Sequence, residues 1–464
     1  MLGSGNRSIF ADSAGSVGFA LLTTALRVPT SILIARSVGP SGKGVSTLIL
    51  LVVVQISLLS SLGIDLALIH FGGSRRWSMS RLASTTAFLG LLLALPAFLI
   101  SFGALLLLSE KLGGIGITLQ LMFALLAPVT LLSYFVRAGL RFSGHVVEEA
   151  ILNVVQVGVA LLLLIVVVTL GAGLPGVLVA QWSSVLVAFV VALFMARRIG
   201  LIHRPSRDAD VIGSLCAYGG KLHIGSVVQS LNFRVDVYVL ALMVSTSAVG
   251  IYAVAVATCE LLLIMPSAMQ SIILHRVATG PRDSTSVSGR INRLTSLGMI
   301  AAGTAAAIVG APLITGVYGS AFSRAYLPFV MLLPGLWSLA MWTNLTNDLL
   351  ARGHPTAKSW TAVGGLGVTL TLIVAAINQF GIRGAALTSS VSYSASFVMA
   401  LILYCRRTGQ TVGDVVIPRA EDVRLALAAL RSHAHARRSG TSSVPRASLP
   451  VKPEYMPPTN TPRR

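Results

Sequence analysis

The sequence predicts an all-α integral membrane protein of about twelve transmembrane helices arranged as two parallel six-helix bundles. Three observations predict it. Hydrophobic residues fill 54% of the 464 positions and charged residues only 11%, with a mean hydropathy of +0.82; a soluble domain carries about a quarter charged residues. The apolar residues fall in repeated blocks of roughly 18 to 25, each long enough to cross a hydrocarbon layer about 30 Å thick as helix. The second part of the chain also repeats the first at an offset of about 207 residues.

The first six spans are expected at Ser13 to Ala35, Val45 to Phe71, Leu82 to Leu108, Ile117 to Val136, Val147 to Leu170 and Leu174 to Ala196. The second six are expected at Ile212 to Val244, Ala248 to Leu274, Leu294 to Val317, Tyr326 to Leu350, Ser359 to Gln379 and Ala385 to Tyr404, the Ile212 helix being long enough to invite a break. Turn residues separate the blocks, at Gly39-Pro40-Ser41-Gly42, Gly72 to Arg76, Gly171 to Pro175, Arg204-Pro205, Gly280-Pro281 and Gly353-His354-Pro355. Polar Met1 to Ser13 leads straight into a full-length span without a cleavable signal, so the first helix is expected to be retained.

With the N-terminus inside, sixteen Lys and Arg residues from Arg7 to Lys358, among them Arg75, Arg276 and Arg282, fall on the cytoplasmic side. The opposite loops hold only Arg36, Lys43, Lys111, Arg324 and Arg383. Both termini are therefore expected in the cytoplasm. The net charge of +20 is mostly this topology signal plus eleven cations from Arg406 to Arg464. It requires membrane lipids as counter-charge, not nucleic acid. Within that tail, Pro418 to His435 can form a surface helix with Val423, Leu427 and Leu430 on one side, and the Ser-, Pro- and Arg-rich remainder beyond Arg437 reads as disordered. Cys216, Cys259 and Cys405 stand singly, with no pairing or metal spacing.

The repeat aligns Leu26-Arg27-Val28 with Phe233-Arg234-Val235, Ser143-Gly144-His145 with Arg352-Gly353-His354, and Gly173 to Val177 with Gly381 to Ala385. Six is even, so both halves enter the membrane in the same direction, and such parallel repeats commonly enclose a transport pathway. The domains expected are residues 1–200, 201–405 and the basic tail 406–464.

Arg27 and Arg234 occupy equivalent mid-span positions although a central arginine costs about 3 kcal/mol on insertion scales. The structural alternative is internal pairing, as of Arg234 with nearby Asp236; Arg27 has only Pro29 and Thr30 beside it. A guanidinium suits phosphate geometry, so two facing each other could grip a diphosphate. Glu260, Asp65 and Asp236 are the candidate coupling or cavity carboxylates, with Asp348 a lesser one, and Lys221 is a further ionisable group within a span. His70, His223 and His275 read as interfacial. Pro29, Gly15, Gly18 and Gly225 either bend the first and seventh spans or serve close helix packing. Gly39 to Gly44 only resembles a phosphate loop, and His433-Ala434-His435 lacks partners at metal spacing, so no catalytic constellation, metal site or cofactor is expected.

Leu26-Arg27, followed by Ile34-Ala35-Arg36-Ser37-Val38-Gly39-Pro40-Ser41-Gly42-Lys43-Gly44, resembles the opening of the polysaccharide (O-antigen or exopolysaccharide) flippases of the multidrug/oligosaccharidyl-lipid/polysaccharide exporter superfamily. Leu62 to Asp65, Leu231 to Asp236, Val249 to Ala255 and Leu350 to Pro355 are similar to that family too, and the resemblance covers about Asp12 to Tyr404. It implies a MATE-like fold in the bacterial inner membrane. It also implies transfer of an undecaprenyl-diphosphate-linked oligosaccharide to the outer leaflet by alternating access, with Arg27 and Arg234 as the cavity cations. A polyprenyl-diphosphate-linked glycan is the implied ligand, and a glycan polymerase or glycosyltransferases the candidate protein partners. Lipid II flippases usually have two further spans. The alternatives are a cation-coupled small-molecule exporter of the same fold, which calls for an acidic cavity, a major-facilitator carrier, whose Gly-x-x-x-Asp-Arg pattern the loop Gly72 to Arg81 lacks, and a non-transporting assembly factor.

Overall fold

The computed structural model describes residues 4–74, 76–264, 266, 284–354, 356–422 and 424. Arg75, His275, Arg276, Arg282, the end of the eighth span toward Leu274, the Gly280-Pro281 turn, Pro355, the positions Val423, Leu427 and Leu430, His433 to His435 and the tail beyond Arg437 lie outside the described residues. Among the described residues every regular element is helical, as a bilayer demands of a chain that must satisfy its backbone internally.

Helix α1 (Ser4–Ser60) holds the first two expected spans. It runs uninterrupted through Gly15, Gly18 and Pro29, and its one non-helical residue is Gly39, at φ +63°. There the chain folds back, so that Lys43 Nζ donates to Ser31 Oγ at 3.1 Å; twelve residues of straight helix would separate them by about 18 Å. The returning arm ends at Ser60, and the expected second span is broken by Leu62 (φ +50°) and Gly63 (φ +71°) before α2 (Ile64–Ser74) resumes it. The break lets the α2 entrance lie on α7, where a Cβ on Gly63 would collide with the Gly219 carbonyl.

There follow α3 (Met79–Leu107), α4 (Ile117–Phe142), α5 (Val146–Thr169), α6 (Gly173–Arg198), α7 (Ala209–Met243) and α8 (Thr246–Glu260), which tightens into a 3-10 turn at Leu261–Leu263. After the undescribed stretch come α9 (Ser284–Tyr318), a 3-10 segment Ser320–Ala325, α10 (Tyr326–Ala351), α11 (Thr356–Phe380), α12 (Ile382–Thr408) and the short α13 (Val412–Val416). Among the described residues eleven helices are long and apolar enough to cross a membrane, and α1 crosses twice. The break expected in the seventh span is absent: α7 is one 35-residue helix, and Gly225 serves packing, its face closed by Ser359 Oγ of α11.

Within the first half α1 packs on α4, α5 and α6, and α3 on α4; within the second, α12 packs on α10 and α11, α11 on α7, and α9 on α10. The same turn ends α4 and α10. Gly144 (φ +84°) and Gly353 (φ +88°) take the left-handed conformation, and the next amides, His145 N and His354 N, both reach back to the carbonyls of Leu140 and Leu349 at 2.9 Å. That is the glycine-closed helix end, placed identically in the two repeats. Leu91, Leu95 and Leu99, four residues apart on α3, are more than half exposed and make a stripe fit for lipid.

The halves meet where α1 folds back. Gly44 and Gly250 allow backbone contact between α1 and α8, since a Cβ on either would collide with the carbonyl of Thr246 or Pro40. Arg36 adds hydrogen bonds from its guanidinium to the carbonyls of Val317 (2.7 Å) and Gly316 (2.5 Å) on α9. On the polar rim Asp208 caps α7 through Val211 N and pairs with Arg81, whose Nε lies 2.7 Å from it. Residues through Ile417 form one compact unit and 418–464 a second; of the expected tail, α13 belongs to the first unit, and Arg293 of α9 donates to its Asp414 carbonyl at 2.6 Å.

Two outcomes follow from this packing. Gly44→Ala or Gly250→Ala introduces a methyl against backbone that cannot rotate away and lowers stability by about 1–3 kcal/mol, as overpacking does. Thermal unfolding in detergent checks this, with Gly18→Ala, which faces open space and gains helix propensity, as the control that is not destabilised. The Arg81 hydrogen bond holds the Asp208 carboxyl below the usual carboxylate range. Its contribution is therefore present above the unfolded value of about 3.9 and lost as pH falls through the lower folded value. Hydrogen exchange at the Val211 amide is expected to stay slow down to that window, and Arg81→Gln to move the loss of protection to higher pH.

Candidate functional site

Arg27 lies twelve residues before the fold-back at Gly39, about 18 Å along the helix and so near the middle of a hydrocarbon layer about 30 Å thick. It is exposed, and among the described residues it has no carboxylate within ion-pair distance. Its side chain borders two cavities. The larger, about 600 Å³, lies among α1, α2, α4, α5 and α6 and is lined by Arg27, Lys43, Asp65, Arg137, Arg141 and Glu149 together with Thr30, Ser31, Asn153 and Gln156. The second, about 300 Å³, lies between the halves, with Thr24, Arg27 and Ser31 on one wall and Glu260 and Tyr318 on the other.

Glu260 ends α8, half-exposed, with its Oε1 3.5 Å from Arg234 Nη2. Both line a third cavity of about 360 Å³ with Gln229, Phe233, Asp236, Tyr252 and Tyr393. Arg27 and Arg234 thus stand on different cavities, and Glu260, which borders both the third cavity and the one shared with Arg27, connects them. Arg234 pairs with Glu260 rather than Asp236. The reason is helical geometry: side chains two positions apart along α7 do not face each other, although both border this cavity. Asp236 is buried and accepts from Tyr252 Oη at 2.5 Å, Ser389 Oγ at 2.8 Å and its neighbour's amide, Val237 N, at 2.8 Å. One turn away on α7, Asn232 Oδ1 accepts from Thr369 and Ser392, so α7, α11 and α12 are joined by hydroxyl donors.

Asp65 heads α2, partly buried on the first cavity, and accepts from Ser61 Oγ at 3.2 Å. Asp348 is a structural group, bonded by Arg352 Nε at 2.9 Å and by Tyr404 Oη at 2.6 Å. Lys221 is exposed. His70 stacks on Tyr218 with ring centroids 4.1 Å apart, and no trio of His, Cys, Asp or Glu is placed to hold a metal ion among the described residues.

Three cavity groups escape a reading of the sequence. Lys43 falls in an apparent outer loop, yet is only 8% exposed because α1 folds inward immediately after Gly39. Arg137 and Arg141 follow the expected end of the fourth span, but α4 continues to Phe142 and brings them to Glu149, at 3.5 and 2.8 Å. The two glutamates Glu148-Glu149, just past the Gly144 turn, are the signal for that pairing.

No curated protein matches the chain in sequence. Solved structures share its fold. A lipid II flippase, MurJ, in an inward closed conformation superposes with a TM-score of 0.72 over 92% of this chain and 93% of its own, at 11% identity. An inward-facing multidrug resistance MATE family transporter of the MOP superfamily gives 0.65 over 83% and 94%, at 14% identity. A MOP superfamily transporter from Pyrococcus furiosus, described as having a binding pocket of reverse polarity, gives 0.62 over 85% and 94%, at 14% identity. The chain therefore shares the fold of these structures. The family model described as polysaccharide biosynthesis protein matches residues 14–274, more than half of the chain, and the chain belongs to that family.

Proposed function

We propose that this protein flips an undecaprenyl-diphosphate-linked oligosaccharide from the inner to the outer leaflet of the bacterial cytoplasmic membrane, by alternating access between bundles formed by residues 1–200 and 201–405. The observation that carries this reading is Arg27: a mid-membrane guanidinium, free of any described carboxylate, on a polar cavity large enough for a charged head group. A cation in that place is tolerated where it meets water and an anionic ligand. Family membership supports the glycan, and the fold supports a transporter. Both termini lie in the cytoplasm in this reading, so the Gly39 fold-back faces outward and the Gly44–Gly250 contact closes the outer side.

Arg27 is the first substrate cation of this scheme, and Arg234, with Glu260 as its counter-ion, is the candidate from the second half. Asp65 and Asp236 are coupling or cavity carboxylates. An inside-negative potential itself favours outward movement of a diphosphate, by about 2.3 kcal/mol per charge per 100 mV. The polar cavities keep sugar hydroxyls out of hydrocarbon, where each unpaired one costs several kcal/mol, while the prenyl tail stays in the bilayer. A glycan polymerase or glycosyltransferases are the proposed neighbours.

One observation favours a second reading. The third cavity sets two carboxylates, Asp236 and Glu260, against the single cation Arg234, a balance that suits a cationic cargo exchanged for protons or sodium, as in a small-molecule exporter.

Arg27→Ala is expected to lower surface glycan about ten- to a hundredfold, as the loss of a charge-assisted contact of 1.5–3 kcal/mol would, while membrane insertion, read by fractionation, stays normal. An Arg27→Ala/Arg234→Ala double variant that exports glycan at the full rate would sink the cavity assignment. Export of a cationic dye that is abolished by Asp236→Asn, with glycan unaffected, would establish the second reading instead.

A further inference from the structure

The two larger polar cavities differ in charge. The one in the first half sets Arg27, Lys43, Arg137 and Arg141 against Asp65 and Glu149, whereas that in the second half sets Arg234 against Asp236 and Glu260. Within the first, two cations are already committed: Glu149 is shared by Arg137 and Arg141, and Arg137 also donates to Asn153 at 2.8 Å and Ser133 at 3.2 Å. Arg27 and Lys43 are not.

Lys43 is buried and gives one of its three N–H donors to Ser31 Oγ, 3.1 Å away. No described carboxylate lies within ion-pair distance of it. A buried ammonium with two unused donors is costly unless an acceptor reaches it. Ser31 in turn stands four residues after Arg27, on the same face of α1 and about 6 Å along its axis. The fold-back at Gly39 therefore places a second cation one helical turn outward of Arg27, on the wall of the same cavity.

We infer that Arg27, Ser31 and Lys43 form a subsite for a diphosphate, in which Lys43 is the second cation and Arg234 takes no part. This rests on the reading that the cargo carries a diphosphate, and it replaces a grip shared between the halves by one contained in the first half. The second-half cavity, with two carboxylates to one cation, repels the same anion.

Inorganic pyrophosphate is the probe, added to the full chain in phosphatidylcholine nanodiscs. Calorimetry gives its affinity, and limited acetylation read by mass spectrometry gives the reactivity of each lysine. At ten times the dissociation constant, Lys43 is expected to react about tenfold more slowly by mass action, while Lys111 and Lys221 react at unchanged rates. Lys43→Met and Arg27→Gln are each expected to weaken pyrophosphate at least tenfold, Ser31→Ala less. Unaltered affinity in Lys43→Met, or no pyrophosphate binding to the wild type at millimolar concentration, overturns the subsite. Equal protection of Lys43 by phosphatidylglycerol nanodiscs alone assigns the cations to phospholipid head groups and overturns it too. The flippase reading is judged separately: glycan export lost in Arg27→Ala while Lys43→Met binds pyrophosphate normally keeps that function and removes this subsite.

Discussion

A polar group at membrane depth has no bulk water to fall back on, and the rest of this structure is arranged around that constraint. Backbone groups meet it by being helical in every described regular element. Where the helix is interrupted, at Leu62 and Gly63, the Gly63 backbone packs against α7 while the Leu62 side chain stays exposed. Side chains meet it in two different ways. Asp236, Asp348 and Asn232 are enclosed by hydroxyl or guanidinium donors, which tie neighbouring helices together. Arg27, Lys43 and Glu260 are instead placed on cavities, where the partner can come and go.

Much of this was legible from residue order alone. Long apolar blocks separated by turn residues leave little choice but helices of bilayer length, and the Ser143-Gly144-His145 and Arg352-Gly353-His354 turns reappear with matching left-handed glycines and matching amide bonds. Arg27 and Arg234 were visible because charge in an apolar block stands out. What stayed hidden depends on angles, not on composition. Lys43 looks like an outer-loop residue until Gly39 is known to reverse the chain within a single residue. Asp236 looks like the partner of Arg234 until the rotation per residue of α7 separates them, and the true partner, Glu260, comes from the next helix.

The contact between the halves also follows from backbone shape. Glycine at positions 44 and 250 lets α1 and α8 approach to the backbone, which is how helices associate in lipid when no hydrophobic driving force separates one apolar surface from another. Around that backbone contact, side chains also cross between the halves: Arg36 donates to the carbonyls at the end of α9, Ser230 to Gln55 and Tyr238 to the Leu51 carbonyl, and Arg81 pairs with Asp208. Those links are spread along the interface, whereas the hydroxyl networks of α7, α11 and α12 stay within one half.

The carboxylates can be ordered by the same argument. Asp236 loses three hydrogen bonds if its surroundings open, and it touches no described cation closely; a change in its charge must be answered by α8 and α12 moving together. Glu260 is half-exposed and its bond to Arg234 is 3.5 Å long. Solvated ion pairs of that sort are worth only about 0–1 kcal/mol. An anionic head group arriving at Arg27 would repel Glu260 across the cavity they share, and the cheapest response is for Glu260 to swing toward Arg234. The weak pair, and not the buried Asp236 cage, is therefore where occupancy of the first half would be felt by the second.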